Sequence, residues 1–201
     1  MLEAMNNNTL SADYKRLSVI EKQTDPKLVA YTRFRGVLNA PSRMWMVRDW
    51  AKRSGCSLIG PPQCVFYAGE TDPERRLCEI QWQIAEGWVS AEGEISSKRL
   101  SSTTVIAAYH QERPLTIRNT ELALAAWAKA HGYRLTGTCC EVYHPDAEGQ
   151  SEHWITEIQL FTDGACPTYG LFEGSTIFRG DVGHAQVDAL LGEGAVETQS
   201  L

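Results

Sequence analysis

Eleven residues of this chain occur twice. Trp50-Ala51-Lys52-Arg53-Ser54-Gly55-Cys56-Ser57-Leu58-Ile59-Gly60 is answered 77 residues later by Trp127-Ala128-Lys129-Ala130-His131-Gly132-Tyr133-Arg134-Leu135-Thr136-Gly137. Trp, Ala, Lys, Gly, Leu and Gly keep their order and their gaps. Two copies of one pattern should form two copies of one supersecondary unit, and that narrows the fold before any single residue is read. A second pair extends the repeat: Glu79-Ile80-Gln81 returns as Glu157-Ile158-Gln159, displaced by 78 residues, so one residue is inserted between helix and last strand.

Each copy carries the same run of elements. In the first, Leu17–Glu21 and Leu28–Phe34 read as strands, the latter β-branched and aromatic and closed by Gly36. Pro41 and Ser42 open a helix on which Met44, Val47, Trp50 and Ala51 form one apolar stripe. Gly55 stands where a left-handed cap is wanted. Gly60-Pro61-Pro62 reads as a rigid connector to the strands Cys64–Tyr67 and Leu77–Ile84. In the second copy, Ile95–Leu100 and Thr104–His110 are strands, and Asn119 or Thr120 caps a helix that runs to Gly132. Cys139–Tyr143 and Trp154–Phe161 follow as strands, with His144-Pro145-Asp146 in an exposed turn between them. Two β-β-α-β-β units in the same order predict an α+β protein with both helices on one face of a sheet of about eight strands. Residues 1–13 read as a loose arm, 14–162 as one domain of two repeats (14–85 and 93–162), and 163–201 as an extension with one short helix near His184–Leu191.

The chain has 201 residues, 43% of them hydrophobic, and a net charge of −6. That is enough to bury a core. The acidic balance argues against general nucleic-acid binding, which rests on phosphate attraction. There is no apolar run of membrane-spanning length and no signal-peptide order, so the sequence reads as cytoplasmic. The cysteines Cys56, Cys64, Cys78, Cys139, Cys140 and Cys166 lack metal spacing, the histidines form no ligand set, and no phosphate-cradling loop follows a strand. No metal and no cofactor is expected.

The duplicated unit, the Trp-x-x-x-x-Gly-x-x-x-x-Gly after each helix and the closing Thr156-Glu157-Ile158-Gln159-Leu160 resemble the GyrI-like small-molecule-binding family over roughly Leu17 to Phe161. The resemblance implies a pseudo-twofold fold with a ligand cleft between its halves. It implies bulky, aromatic, often cationic ligands met by an acidic residue on a late strand, a position that Glu157 matches. It also admits hydrolysis, since some free-standing relatives open a strained cyclopropane in DNA-alkylating natural products. The sequence departs from the family in three ways. Gln111-Glu112-Arg113-Pro114-Leu115 replaces the usual Gly-Pro-Tyr, a tail of about forty residues follows the module, and no helix-turn-helix precedes Leu17. Direct contact with nucleic acid is therefore not expected, nor is contact with membrane, while a protein partner or a homodimer is left open.

Strand alternation then sorts the residues of interest. Trp154, Thr156, Ile158 and Leu160 should face the helices, and Ile155, Glu157, Gln159 and Phe161 the other side. Glu79 falls on that helix-free face with Glu157. A strand carboxylate is ordinarily a solvated group, but Ile155 and Phe161 flank Glu157 on its own face. Glu157 and Glu79 are thus candidate ligand carboxylates, with Tyr31, Tyr67, Tyr109, Tyr143 and Phe161 as aromatic walls offering cation–π attraction. The alternative is a hydrolase with Glu157 as general base and Tyr109 or Tyr143 as hydrogen-bond donor. A third reading, a nucleic-acid mimic that blocks an enzyme, lacks the acidic run it would need. Trp50, Trp127, Trp82 and Trp154 read as core.

Overall fold

The strands of both repeats build one sheet, antiparallel except at its β10 edge, whose strand order is mirrored about its centre. The computed structural model describes residues 17–70, 72–87, 91–110, 116–145, 155–163 and the strand 177–179. Strands are β1 (Val19–Gln23), β2 (Lys27–Arg35), β3 (Leu58–Phe66), β4 (Leu77–Ile84), β5 (Ala91–Glu92), β6 (Ile95–Leu100), β7 (Thr104–His110), β8 (Leu135–His144), β9 (Ile155–Thr162) and β10 (Ile177–Arg179). Helices are α1 (Ala40–Ser54) and α2 (Ile117–Ala130). The order across the sheet is β10-β1-β7-β9-β8-β3-β4-β2-β6-β5. Around the central β8–β3 contact, β9 answers β4, β7 answers β2 and β1 answers β6.

Registers match as well as order. Glu79 lies opposite Arg33 on β2 and Val65 on β3. Glu157 lies opposite Tyr109 on β7 and Val142 on β8. The one-residue insertion between the Trp motif and the last strand is therefore absorbed before β9, and the two Glu-Ile-Gln segments occupy corresponding places.

Both helices pack on one face. The main core beneath them joins Trp50 and Val47 of α1 with Trp127 and Leu124 of α2, over Ile80, Ile84, Ile158 and Leu160 of the strands. Trp50 and Trp127 are 1% and 2% exposed, as a core reading of that pair requires. Trp127 also stacks on His131, with ring centroids 3.9 Å apart. α1 ends at Gly55 in the left-handed region (φ 69°), where only glycine avoids strain.

Three local expectations are corrected. The Gly60-Pro61-Pro62 segment lies inside β3, not in a connector. Pairing with β4 holds at Leu58 and Ile59 and resumes at Gln63, so the two prolines, which have no N–H to donate, fall where the ladder is interrupted. Gly137 makes the corresponding break in β8, between Leu135 and Cys139. The second glycine of each motif, at φ 63° and 80°, therefore bends a strand; it does not end one. α2 begins at Ile117 with Thr116 at its cap position, so Asn119 and Thr120, the expected caps, both lie inside the helix; the Thr120 hydroxyl meets His110 Nδ1 (2.9 Å) and Thr116 lies 3.2 Å from the other ring nitrogen. His144 does not sit in an exposed turn but closes β8 with its ring against Glu157.

β10 is a strand in the region read as a tail, and it pairs parallel to β1. The 1–13 arm, the helix near His184–Leu191, the Gln111–Leu115 departure, Trp154 and Cys166 lie outside the described residues.

One feature of the topology governs both faces. β1 and β2 lie in opposite halves of the sheet yet are joined by Thr24-Asp25-Pro26, and β6 and β7 by Ser101-Ser102-Thr103. Four Cα steps span at most about 14 Å, so the outer parts of the two halves must approach each other. The two connections are bonded together, with Thr24 N donating to Thr103 O at 2.8 Å. The sheet folds in on its helix-free side, and Val29, Val105, Ala107, Glu79 and Glu157 are buried there without any helix above them.

Candidate functional site

Glu79 and Glu157 share the helix-free face, as the alternation predicts, and each is enclosed by donors. Glu79 accepts from Arg33 Nε (2.8 Å), Tyr67 OH (3.0 Å), Gln81 Nε2 (2.6 Å) and Lys98 Nζ. Glu157 meets Lys22 Nζ at 2.5 Å, His144 Nε2 at 3.1 Å and Gln159 Nε2 at 2.9 Å, with Tyr109 OH at 3.5 Å. Both carboxylates are buried, at 0% and 2% exposure. Burial alone would raise their pKa values, but the donors win: His144, Lys22 and Gln159 hold Glu157 at about 2, and Lys98, Arg33 and Gln81 hold Glu79 below the ordinary carboxylate range. A carboxylate has about four lone-pair sites. Four partners on each leave little for a guest, which would have to displace a tethered ammonium.

The sequence-predicted aromatic residues divide between the two faces. Tyr31 lies under Lys98 Nζ (4.4 Å from the ring centroid) and Arg33, beside Glu79. Tyr67 gives its hydroxyl to Glu79, and burial and that carboxylate push its pKa to about 12. Tyr109 adjoins Glu157, and its pKa is raised by burial and by that charge. Phe161 packs with Val65, Cys140 and Val142 in a small apolar cluster on the same face. Tyr143 is on the opposite side, among the helix-side core.

Tyr143 marks a second carboxylate, which the residue-by-residue reading passed over. Its hydroxyl donates to Glu141 Oε2 at 2.6 Å. Glu141 stands at the bottom of a cleft of about 1010 Å3 on the helix side, over β3 and β8. Leu38 and Met44 border it from the α1 side, Ile117 and Glu121 from α2, and Phe66, Tyr143 and Arg76 complete its floor. Among the described residues Glu141 makes no ion pair. Burial, reinforced by the nearby Glu121 charge, raises its pKa despite the Tyr143 hydrogen bond and the more distant Arg76. Arg76 instead lies over the Phe66 ring at 5.2 Å and donates to the Tyr67 carbonyl.

The repeat itself contains the signal for Glu141. At the offset of 77, Cys64-Val65-Phe66-Tyr67 falls on Glu141-Val142-Tyr143-His144. In the sheet, Cys64 and Glu141 are direct cross-strand partners at the contact between the halves. The copies thus agree at Val65 and Val142, which face away from the helices, and differ at the positions that floor the cleft: Cys and Phe in one half, Glu and Tyr in the other. Glu141 thus stands on only one side of the centre, and the two halves of the cleft floor differ in charge.

Comparison with known proteins agrees with this architecture. The model of the GyrI-like small molecule binding domain family matches residues 22–160. The crystal structure of the EcmrR C-terminal domain superposes with a TM-score of 0.66 at 18% identity, over 75% of this chain and 99% of that one. EcmrR in its DNA complex gives 0.67 at 18% identity, over 78% of this chain and 62% of that longer one. A structure described as a hydrolase from Listeria innocua gives 0.52 at 8% identity, over 72% and 91%. At these identities the structural likeness establishes the fold. No curated protein matches the sequence. Among the described residues, no helix is long and apolar enough to cross a membrane.

Proposed function

The chain belongs to the GyrI-like small molecule binding domain family, and from that premise we propose that it binds a bulky, aromatic, singly charged cation in the helix-side cleft, with Glu141 as the charge partner. The observation that carries this reading is a half-buried carboxylate, without an ion pair among the described residues, in the lining of a cavity of about 1010 Å3. An unpaired carboxylate in an apolar site is costly to ionise, and a cation that enters beside it removes that cost. The cleft volume is at the upper end of small-molecule sites, which run to about 1,000 Å3. Tyr143 supplies a ring in the lining, able to add about 0.5–2 kcal/mol of cation–π attraction, whereas Arg76 already lies over the Phe66 ring. The sequence-based choice of Glu157 for this role is less favourable, because Lys22 and His144 already occupy it.

The test is a titration of tetraphenylphosphonium and of a neutral analogue of similar shape into the wild type and Glu141→Gln. Loss of the carboxylate should weaken the cation by about 10- to 100-fold and leave the neutral compound nearly unaffected. Equal affinity of both proteins for the cation would rule the assignment out.

The raised pKa of Glu141 and its short bond to Tyr143 also favour a second reading, in which the pair activates water against an electrophilic guest. A carboxylate poised nearer neutrality is a better general base than one at about 2. Incubation with strained electrophilic natural products, followed by mass spectrometry for addition of one water, separates the two: hydration abolished in Glu141→Gln supports catalysis, and ligand recovered intact supports binding.

A further inference from the structure

The charged side chains that border the helix-side cleft do not all cancel one another. Among the described residues they are Glu70, Arg76, Arg118, Glu121 and Glu141. Arg118 and Glu121 are paired on α2 at 2.6 Å, and Glu70 is matched by Arg75 at 3.7 Å. Arg76 and Glu141 remain. Neither makes an ion pair among the described residues, with the other or with any third group. The cleft therefore holds one cation and one anion whose charges are unmatched. They come from different repeats, Arg76 from the residue before β4 and Glu141 from β8.

Arg76 is held in place, yet its guanidinium keeps donors to spare. Its backbone is anchored on both sides, with Arg76 N donating to Asp72 O at 2.9 Å and Gly36 N donating to Arg76 O at 3.1 Å. Its side chain is half-buried, lies over Phe66 and donates Nε to the Tyr67 carbonyl at 3.4 Å. The two Nη groups make no hydrogen bond among the described residues. They form the planar fork that binds a carboxylate through two parallel bonds. Phe66 and Cys64 are two residues apart on β3, and Cys64 is the cross-strand partner of Glu141. The ring beneath Arg76 and the strand position facing Glu141 are thus about 7 Å apart. Arg76 and Glu141 are kept from pairing with each other, and one aromatic guest can touch both.

We propose that the cleft reads two charges on one guest, a cationic centre at Glu141 and a carboxylate at Arg76, so that aromatic cations bearing an acid group are preferred over the same cations without one. This rests on Glu141 as the cation partner and adds a second point of contact. A guest with a positive centre alone is attracted by Glu141 and repelled by Arg76. An acid group on the guest turns that repulsion into a forked, charge-assisted contact. It also fixes which way round the guest lies across the two repeats, because each repeat contributes one charge of opposite sign.

The experiment is a calorimetric titration at neutral pH of (p-carboxyphenyl)triphenylphosphonium and of its methyl ester, which masks the anionic charge, into the full chain and into Arg76→Met, Arg76→Lys and Glu141→Gln. The wild type should bind the acid about 10- to 100-fold more tightly than the ester. Arg76→Met should erase that ratio and bind the ester at least as tightly as the wild type does. Arg76→Lys should keep part of the ratio, since the charge remains and the fork is lost. Glu141→Gln should weaken both compounds and leave the ratio standing. A merely structural Arg76 would move both affinities together. Equal affinity of the wild type for acid and ester overturns the proposal without recourse to any variant, and so does a preference that survives Arg76→Met. Ester binding that depends on Glu141 without any preference for the acid would sink this inference and leave the cation site standing. Ester binding indifferent to Glu141→Gln would sink the cation site, and the two-charge reading with it.

Discussion

Glu157 and Glu141 stand on neighbouring strands, the first buried and the second half-buried in the cleft, and they are in opposite electrostatic states. Glu157 faces away from the helices, surrounded by Lys22, His144, Gln159 and Tyr109, and is held at about 2. Glu141 faces the helices with one neutral donor, and its pKa is raised. Burial works to raise both pKa values, and it prevails only at Glu141. What differs is whether the fold brings a cation to the buried charge. A paired carboxylate is spent on holding strands together, whereas an unpaired one retains its demand for a partner and is the better candidate for binding.

The largest expected difference between them is in stability. Glu157→Gln leaves Lys22 without a counter-charge, disturbs the hydrogen bond to His144 and should cost about 3 kcal/mol. Glu141→Gln removes a charge that folding had to desolvate and should be neutral or stabilising by up to about 1 kcal/mol. Urea denaturation of the two variants checks both signs, and equal destabilisation would dissolve the contrast.

The pH dependence should separate them next. Glu157 has a folded pKa below its unfolded one, so its contribution is complete above the unfolded value and fades as pH falls toward about 2. Glu141 has a folded pKa above its unfolded one. Its contribution is complete below the unfolded value and is lost as pH rises through the folded value. Wild type minus Glu157→Gln should therefore shrink on acidification, and wild type minus Glu141→Gln should shift in the wild type's favour. Cation affinity should rise with pH across the Glu141 titration and then level off, since the guest selects the ionised form. A pH-independent affinity in calorimetry would place the guest elsewhere.

The smallest effect compares the two halves at their bulges. Gly60 and Gly137 both have positive φ, but a Cβ at Gly60 meets open space while one at Gly137 approaches Ala68 Cβ to 3.0 Å. Gly60→Ala should cost about 1 kcal/mol from backbone strain alone. Gly137→Ala should cost somewhat more, and thermal melts of the pair resolve the difference.

Much of the fold was legible along the chain. The 77-residue offset revealed two equal units, and period-two alternation put Ile80, Ile158 and Leu160 toward the helices and Glu79 and Glu157 away from them. These features are local or repeat at a constant spacing, so no knowledge of strand order is needed. The candidate site was legible only in part. Tyr143 is legible as a strand aromatic, but its partner Glu141 is marked in the sequence only by a difference between the copies, where Cys64 stands in the first half. His144 looked like turn chemistry because Pro145 follows it, while its role depends on Glu157 across the ladder.

The sequence by itself determined the order of the elements, an α+β run with the same motif at a constant offset, and which side chains share a face. Only the tertiary structure decided which face is sealed and which is open. Lys22 reaches Glu157 because β1 lies beyond β7 at one side of the sheet, and Lys98 reaches Glu79 because β6 lies beyond β2 at the other. The short β1–β2 and β6–β7 connections then bend the sheet around those pairs. Alternation places a carboxylate on a face through bonds one residue apart, but the cation that neutralises it comes from a strand many residues away, and Coulomb attraction depends on distance in space.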